Sequence, residues 1–312
     1  MSICIATGER EGRRKRWARL VTALLFLVVC LCWGTTWLGI KIAVESVPPL
    51  AASGLRFLIA FPLFLLFATV RGEPIFFPRQ HRVFFVFVTL GYFSVPFYLL
   101  NYGEQYVASG LTALLFSTMP VFILIFSALL LKDRIFLSQI TGIAIGFGSL
   151  FMILKSQGLH LDYSELLGVV AIVAAAIMHA LVYVITKQRG ADIGVITFNT
   201  LPIGIAGLGL FAAGLLIERP DLSAISTRSW AALAYLGLAA SVGGFIVYFF
   251  LLKRLSPVAL SFVFIIFPVF AVVIGAWYEG TTISRDLIGF TALLLTGFAI
   301  SKLPAERLME SS

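Results

Sequence analysis

Leu111-Thr-Ala-Leu-Leu-Phe-Ser-Thr-Met-Pro120-Val-Phe has an echo in the later half of the chain, Ala259-Leu-Ser-Phe-Val-Phe-Ile-Ile-Phe-Pro268-Val-Phe. Each stretch is apolar with a proline near its middle. Each leads to an acid, Asp133 or Glu279, and then to another apolar stretch that contains glycine. A weaker correspondence lays Trp33 through Lys41 over His179 through Lys187, mainly on aromatic and lysine positions. The chain therefore reads as two copies of one unit.

The unit is apolar throughout. Mean hydropathy is +1.02, and only 12% of the 312 residues are charged. A water-soluble chain of this size could not clothe itself in polar side chains with that balance, whereas lipid removes the need. A spanning helix takes about 20 mostly apolar residues. Such segments are predicted near 20–41, 50–70, 83–103, 108–131, 137–154, 166–186, 195–217, 231–252, 257–278 and 287–303. The connections between them, such as Arg71-Gly-Glu-Pro and Glu218-Arg-Pro-Asp221, are too short for a soluble domain. The expected fold is an all-α integral membrane protein with ten transmembrane helices. A basic tail (1–19) precedes a first five-helix repeat (20–155); a second repeat (166–303) precedes a short tail (304–312). Five is odd, so the second repeat enters the membrane from the opposite side. Inverted repeats of this kind supply inward- and outward-facing shapes from one scaffold, as secondary transporters require.

Charge sets the expected orientation. Arg10, Arg13, Arg14, Lys15, Arg16 and Arg19 precede the first apolar segment. That segment is longer than the core of a cleaved signal peptide and has no small-residue cleavage site after it. With the N-terminus in the cytoplasm, every inner loop is basic: Arg71, Arg79, Arg82, Lys132, Arg134, Lys187, Arg189, Lys253, Arg254, Lys302 and Arg307. The outer segments hold only Lys41, Lys155, Arg219, Arg228 and Arg285. Both termini are thus expected inside, at the cytoplasmic (inner) membrane. The bias also accounts for the net charge of +8, so no nucleic-acid partner is implied.

Intramembrane polar residues are the default functional candidates. Arg56 could receive a substrate carboxylate, or it could snorkel outward or brace Glu104. His179 could line a cavity, or rest on a neighbouring carbonyl. Trp33 and Trp37 share a helical face. With Thr36, Tyr98, Tyr183 and Tyr248 they could form an aromatic cavity for a mostly apolar or aromatic solute. Asn101 is a possible substrate ligand. Glu104 is expected to face water, and Lys41 to pair with Glu45 or to hydrate. Asp133 and Glu279 are expected to order loops. Prolines 96, 120, 202 and 268 are expected to interrupt helices, and Gly34, Gly142, Gly146, Gly243 and Gly244 to permit close helix contact.

Catalytic chemistry needs clustered acids, bases, nucleophiles or metal ligands. The histidines at 81, 160 and 179 are scattered, and the cysteines Cys4, Cys30 and Cys32 have no metal or disulfide spacing. No phosphate-binding loop occurs. Neither an enzyme, a metal nor a cofactor is expected. A lipid flippase or scramblase, and more remotely an intramembrane lipid enzyme, remain as alternatives.

Trp33-Gly-Thr-Thr-Trp37, Ser53-Gly-Leu-Arg56-Phe, the run into Pro120, and Leu-Lys132-Asp133-Arg134 followed by Gln139-x-x-Gly142 resemble the EamA family of the drug/metabolite transporter superfamily. The resemblance runs over essentially the whole chain. It implies a ten-helix carrier of the inner membrane that exports small metabolites such as amino acids. Its partners would be a small-molecule substrate, the lipid bilayer and a coupled ion such as a proton, and it could act as a monomer. The family's frequent Glu after the fourth segment is Asp133 here, and Glu279 lies nearer its proline than Asp133 does to Pro120.

Overall fold

The structure is a computed structural model that describes residues 2–132, 136–156, 162–190, 192–252, 254–255, 260 and 263–301. Asp133, Arg134, His160, Lys253, Lys302, Arg307, the start of the 257–278 segment and the 304–312 tail lie outside the described residues.

Helices cover the apolar segments. They are α1 (Ser2–Val44), α2 (Pro49–Arg71), α3 (Arg79–Tyr106), α4 (Ser109–Leu131), α5 (Leu137–Ser156), α6 (Tyr163–Arg189), α7 (Val195–Ile217), α8 (Thr227–Tyr248), α9 (Val263–Glu279) and α10 (Arg285–Ser301). Among the described residues, seven helices are long and apolar enough to cross a bilayer: Arg19–Val44 of α1, then α2, α3, α4, α6, α7 and α8. Shorter apolar stretches run over Leu137–Ile153 and Ile266–Glu279. The basic N-terminal segment is not a separate tail; it continues α1 as helix from Ser2. The perimeter is apolar, with Val70, Val83, Leu216 and Trp277 each at least 75% exposed, as a lipid-facing surface requires.

Local sequence fixes the helix ends. Pro49 opens α2, where its missing N–H has no partner to lose. Gly72, at φ 63°, closes it in the left-handed conformation that glycine adopts without a Cβ clash. The prolines divide into two groups. Pro120 follows a turn that separates Ser109–Phe116 from Met119–Phe126, and Pro96 follows a π-helical stretch, Thr89–Ser94. Pro202 and Pro268 instead lie within uninterrupted helix, as does Pro62, so they do not break α7 or α9 as expected. Neighbouring helices can satisfy what such a proline frees.

The most extensive contacts join α2 to α7 and α5 to α10. Both depend on missing side chains. A Cβ at Gly54 would run into the Phe211 backbone, and one at Gly142 would meet the Gly297 carbonyl. Gly34, Gly146 and Gly244 come nearly as close to the side chains of Phe270, Phe298 and Trp33. Gly243 is the exception; it lies in another π-helical stretch, Tyr235–Gly243 of α8, with no neighbouring helix against it.

One end of the bundle is tied across its width. The Glu218 carboxylate, just past α7, accepts from the Leu50 and Ala51 N–H groups at the start of α2 (2.9 and 3.0 Å). Glu279, at the end of α9, accepts from the Ser109 N–H and hydroxyl at the start of α4 (both 2.9 Å). Each anion sits where a helix presents unpaired N–H groups and the positive end of its dipole. Ser46 joins Ser229 on the same face (2.8 Å), and Tyr278 donates to Glu45 (3.0 Å) while Arg228 bonds Tyr278. On the opposite face, His81 pairs with Asp192 (3.0 Å) and Thr197 donates to the Pro74 carbonyl (2.5 Å).

Candidate functional site: a buried arginine in an aromatic shell

Gly54 lets α7 close on one side of α2, and Arg56 points inward, 6% exposed. Its Nε donates to Ser241 Oγ on α8 (3.2 Å), and its guanidinium lies 5.0 Å from the centre of the Phe97 ring. Its Nη1 is enclosed and has no hydrogen-bond partner. No carboxylate pairs with it among the described residues; its other polar neighbours there are Cys32 and Tyr235. This arginine neither snorkels nor braces Glu104.

The π-helical stretches of α3 and α8 feed this centre. In α8, Ser241 Oγ donates to the Leu236 carbonyl five residues back (2.8 Å), leaving a lone pair for Arg56. In α3, Ser94 bonds Thr89 O over the same spacing (2.8 Å), and the stretch carries Tyr92. Such widened turns recur at functional sites because they re-aim side chains.

Phe97 leads to His179, 5.5 Å between ring centres. Tyr92 and Phe116 surround the imidazole at 4.6 and 5.4 Å. His179 Nδ1 is 2.9 Å from the Ala175 carbonyl, which can only accept, so Nδ1 carries the proton. Its Nε2 is then a lone pair with no partner among the described residues. Phe116 continues to Trp37 (5.1 Å), whose indole Nε1 is buried and unpartnered. Trp37 stacks on Phe267 at 6.1 Å, Phe267 meets Phe264, and Phe264 meets Trp33, which stacks on Tyr248 at 5.1 Å. One unbroken run of rings therefore links Arg56 to Tyr248 through six helices. Two donors, Arg56 Nη1 and Trp37 Nε1, lie on it without acceptors.

The structure separates the expected candidates. Arg56, His179, Trp37, Trp33 and Tyr248 come together. Tyr98 does not; it turns along α3 towards Tyr102 (6.1 Å), about 100° around the helix from Phe97. Tyr183 is 54% exposed, beside Tyr92 and Tyr248 at the edge of the run. Thr36 spends its hydroxyl on the Cys32 carbonyl (2.8 Å). Asn101 is fully enclosed and ties α3 to α2, donating to Ser53 Oγ and Phe97 O (2.9 and 2.8 Å). Glu104 does not face water; it is 0% exposed with both carboxylate oxygens unpartnered. Lys41 does not pair with Glu45; its ammonium donates to the Glu104 and Val107 carbonyls (2.6 and 3.2 Å) that α3 leaves open at its end. Ser241, Phe97, Phe116 and Phe267 were not read from sequence. Of these only Ser241, a hydroxyl two residues before the Gly243-Gly244 pair, carried a local sign.

These features define a multi-pass membrane protein with a cationic, ring-lined centre. The chain belongs to the EamA-like transporter family, whose model matches residues 20–155 and again 166–302. It is 41% identical over 279 residues to Protein PagO of Salmonella typhimurium, covering 89% of this chain and 92% of that protein. It is 39% identical over 253 residues to an uncharacterized transporter of Buchnera aphidicola subsp. Schizaphis graminum, covering 81% and 84%. An uncharacterized inner membrane transporter of Escherichia coli K12, YedA, is 29% identical over 86% of each chain. A protein of known crystal structure superposes with TM-score 0.66 at 19% identity, over 92% of this chain and 98% of that one, which establishes a shared fold.

Proposed function

We propose that this transporter is a secondary carrier built from two inverted five-helix repeats. It exports small carboxylate-bearing solutes with an apolar or aromatic body, amino acids being the best-fitting class. The observation that carries the substrate reading is Arg56: a buried cation with an unpartnered nitrogen and no anion beside it among the described residues. A buried charge without a counter-ion costs several kcal/mol, and a substrate carboxylate would relieve that. The ring run offers flat faces to the rest of the solute, and Trp37 Nε1 and His179 Nε2 offer a donor and an acceptor to orient it.

The repeat reading is supported by the double family match and by equivalent pairings. Helices α2 and α7, and α5 and α10, occupy corresponding positions in the two halves, and π-helical stretches fall in both α3 and α8. On this reading α5, α9 and α10 complete ten crossings. On this reading, which the basic loops support, the termini lie inside, and the tied and closed face at Glu218 and Glu279 is then the outer one. Alternating access then consists of opening that face while the other closes.

The test is solute counterflow in proteoliposomes, with a panel of amino acids, aromatic carboxylates and their amide or decarboxylated analogues. Saturable exchange of carboxylates, lost in the analogues, is the expected result. Equal exchange of the decarboxylated analogues would remove Arg56 from the substrate site. Movement of a fluorescent lipid with no solute exchange would replace the carrier with a flippase.

A further inference from the structure

The second buried ionisable residue, Glu104, has no part in the centre around Arg56. It lies in the last turn of α3, near the outer end. Gly103 beside it lets α6 press in, with Ile172 and the Gly168 carbonyl at the contact, and buried Leu100 and Val107 flank it. The carboxyl group is 0% exposed, and neither oxygen has a hydrogen bond. The charged groups that face it are Lys41 from α1 and Glu279 from α9; α2, α4 and α6 present none among the described residues. Both neighbours are engaged elsewhere. Lys41 is held by the Glu104 and Val107 carbonyls, and Glu279 by Ser109. An ionised carboxylate would here lack water, donors and a bonded cation together, a far less favourable state than the neutral acid.

We propose that Glu104 is a proton-binding site, filled while the outer face is closed as in this structure and emptied when that face opens. A cavity of about 40 Å³ lies between α4, α9 and α10, lined by Ala108, Gly110, Glu279 and Thr281. It brings water-sized space to Glu279, whose charge acts on Glu104. Parting the Glu279–Ser109 contact would extend that water to Glu104. The carboxylic O–H then gives its proton to external water, and the carboxylate left behind can pair with the Lys41 ammonium. Closure requires the proton back, so external acid holds the face shut. The inference takes alternating access from the reading above but is independent of the substrate.

Two measurements test it. The first is infrared spectroscopy of the full chain in lipid, comparing wild type with Glu104→Gln and Glu104→Asp. A C=O stretch from a protonated carboxylic acid is expected at neutral pH. It should vanish in Glu104→Gln and shift in Glu104→Asp; should Glu104→Gln fail to fold, the shift alone decides. The same band in both variants, or its absence in wild type at neutral pH, overturns the proposal. The second is exchange measured against external pH. Wild type should speed up as external pH rises, by at most about tenfold per unit for one proton, and Glu104→Gln should be slow and flat. A wild-type profile in Glu104→Gln overturns the linkage to opening. Failure of every panel solute to exchange in wild type would sink the substrate reading and leave the infrared result standing.

Discussion

Arg56 and Glu104 are both ionisable residues enclosed within membrane-spanning helices, yet their surroundings differ in kind. Arg56 has a hydroxyl on one nitrogen, an aromatic face beneath its plane and one free nitrogen. Glu104 has packed carbon and two free oxygens. The difference follows from their chemistry. A guanidinium stays charged at any accessible pH, so the fold must soften its burial or import an anion. A carboxylate can shed its charge by taking a proton, so the fold can leave it bare. On the proposed reading the two sites take different cargo, an organic anion at one and a proton at the other.

The largest effect is expected at Arg56. Arg56→Met keeps the volume and removes the charge. If the arginine binds substrate, exchange should fall about 100-fold, the equivalent of about 3 kcal/mol for a buried charge-assisted contact. Thermal stability in detergent should hold or rise, because an unpaired buried charge has gone. If stability collapses along with exchange, Arg56 is structural and the comparison with Glu104 loses one side. Glu218 supplies a sharper contrast among the carboxylates, since it has found two N–H donors where Glu104 has none. Glu218→Gln should destabilise the folded protein by about 1–2 kcal/mol through a weakened cap on α2. Unchanged unfolding would mean that the helix end is satisfied by water instead.

Much of this was legible in the sequence because the bilayer imposes long apolar segments. Val195–Ile217 was read to the residue, and Pro49–Arg71 to within one. Arg56 and His179 stood out as polar residues where lipid permits few. Glu104 was misread because it lies near a segment end, where sequence alone makes water the natural surroundings. Its enclosure comes from Gly103 and the approach of α6, a tertiary contact without local sign. Tyr98 was misassigned for a related reason. Phe97 and Tyr98 are adjacent aromatics, and which of them faces the centre depends on helix rotation, which the π-helical stretch at Thr89–Ser94 changes. Pro202 and Pro268 show that a proline marks a possible break without enforcing one.

His179 tests whether the ring run contributes more than packing. Its three ring contacts are each worth about 0.5–1.5 kcal/mol. His179→Ala should lower exchange several-fold, up to about tenfold for a loss near 1.4 kcal/mol. His179→Phe separates the roles, because phenylalanine restores ring contacts without a lone pair at Nε2. Continued loss in His179→Phe supports a polar contact with solute; full recovery assigns the residue to packing.

The smallest effect is expected where water reaches the charge. Asp192 lies between α6 and α7 and is half exposed, and its carboxylate accepts from His81 Nε2 at 3.0 Å. That hydrogen bond holds the Asp192 carboxyl below its ordinary range. Its folded-state value is depressed, so its contribution to stability is present above the unfolded-state value and is lost as pH falls through the folded-state one. Asp192→Asn should lower the unfolding temperature in detergent only slightly at pH 7. The gap should close below the carboxylate range, where wild type is protonated too, and should shrink with added salt, which screens exposed charges. A large gap that persisted in acid or in high salt would mean that Asp192 ties the α6–α7 turn through contacts other than its charge. The same substitution logic, applied to Glu104, predicts the opposite salt response: an enclosed carboxyl is out of reach of dissolved ions, so salt should leave its protonation unchanged while that end of the bundle is closed.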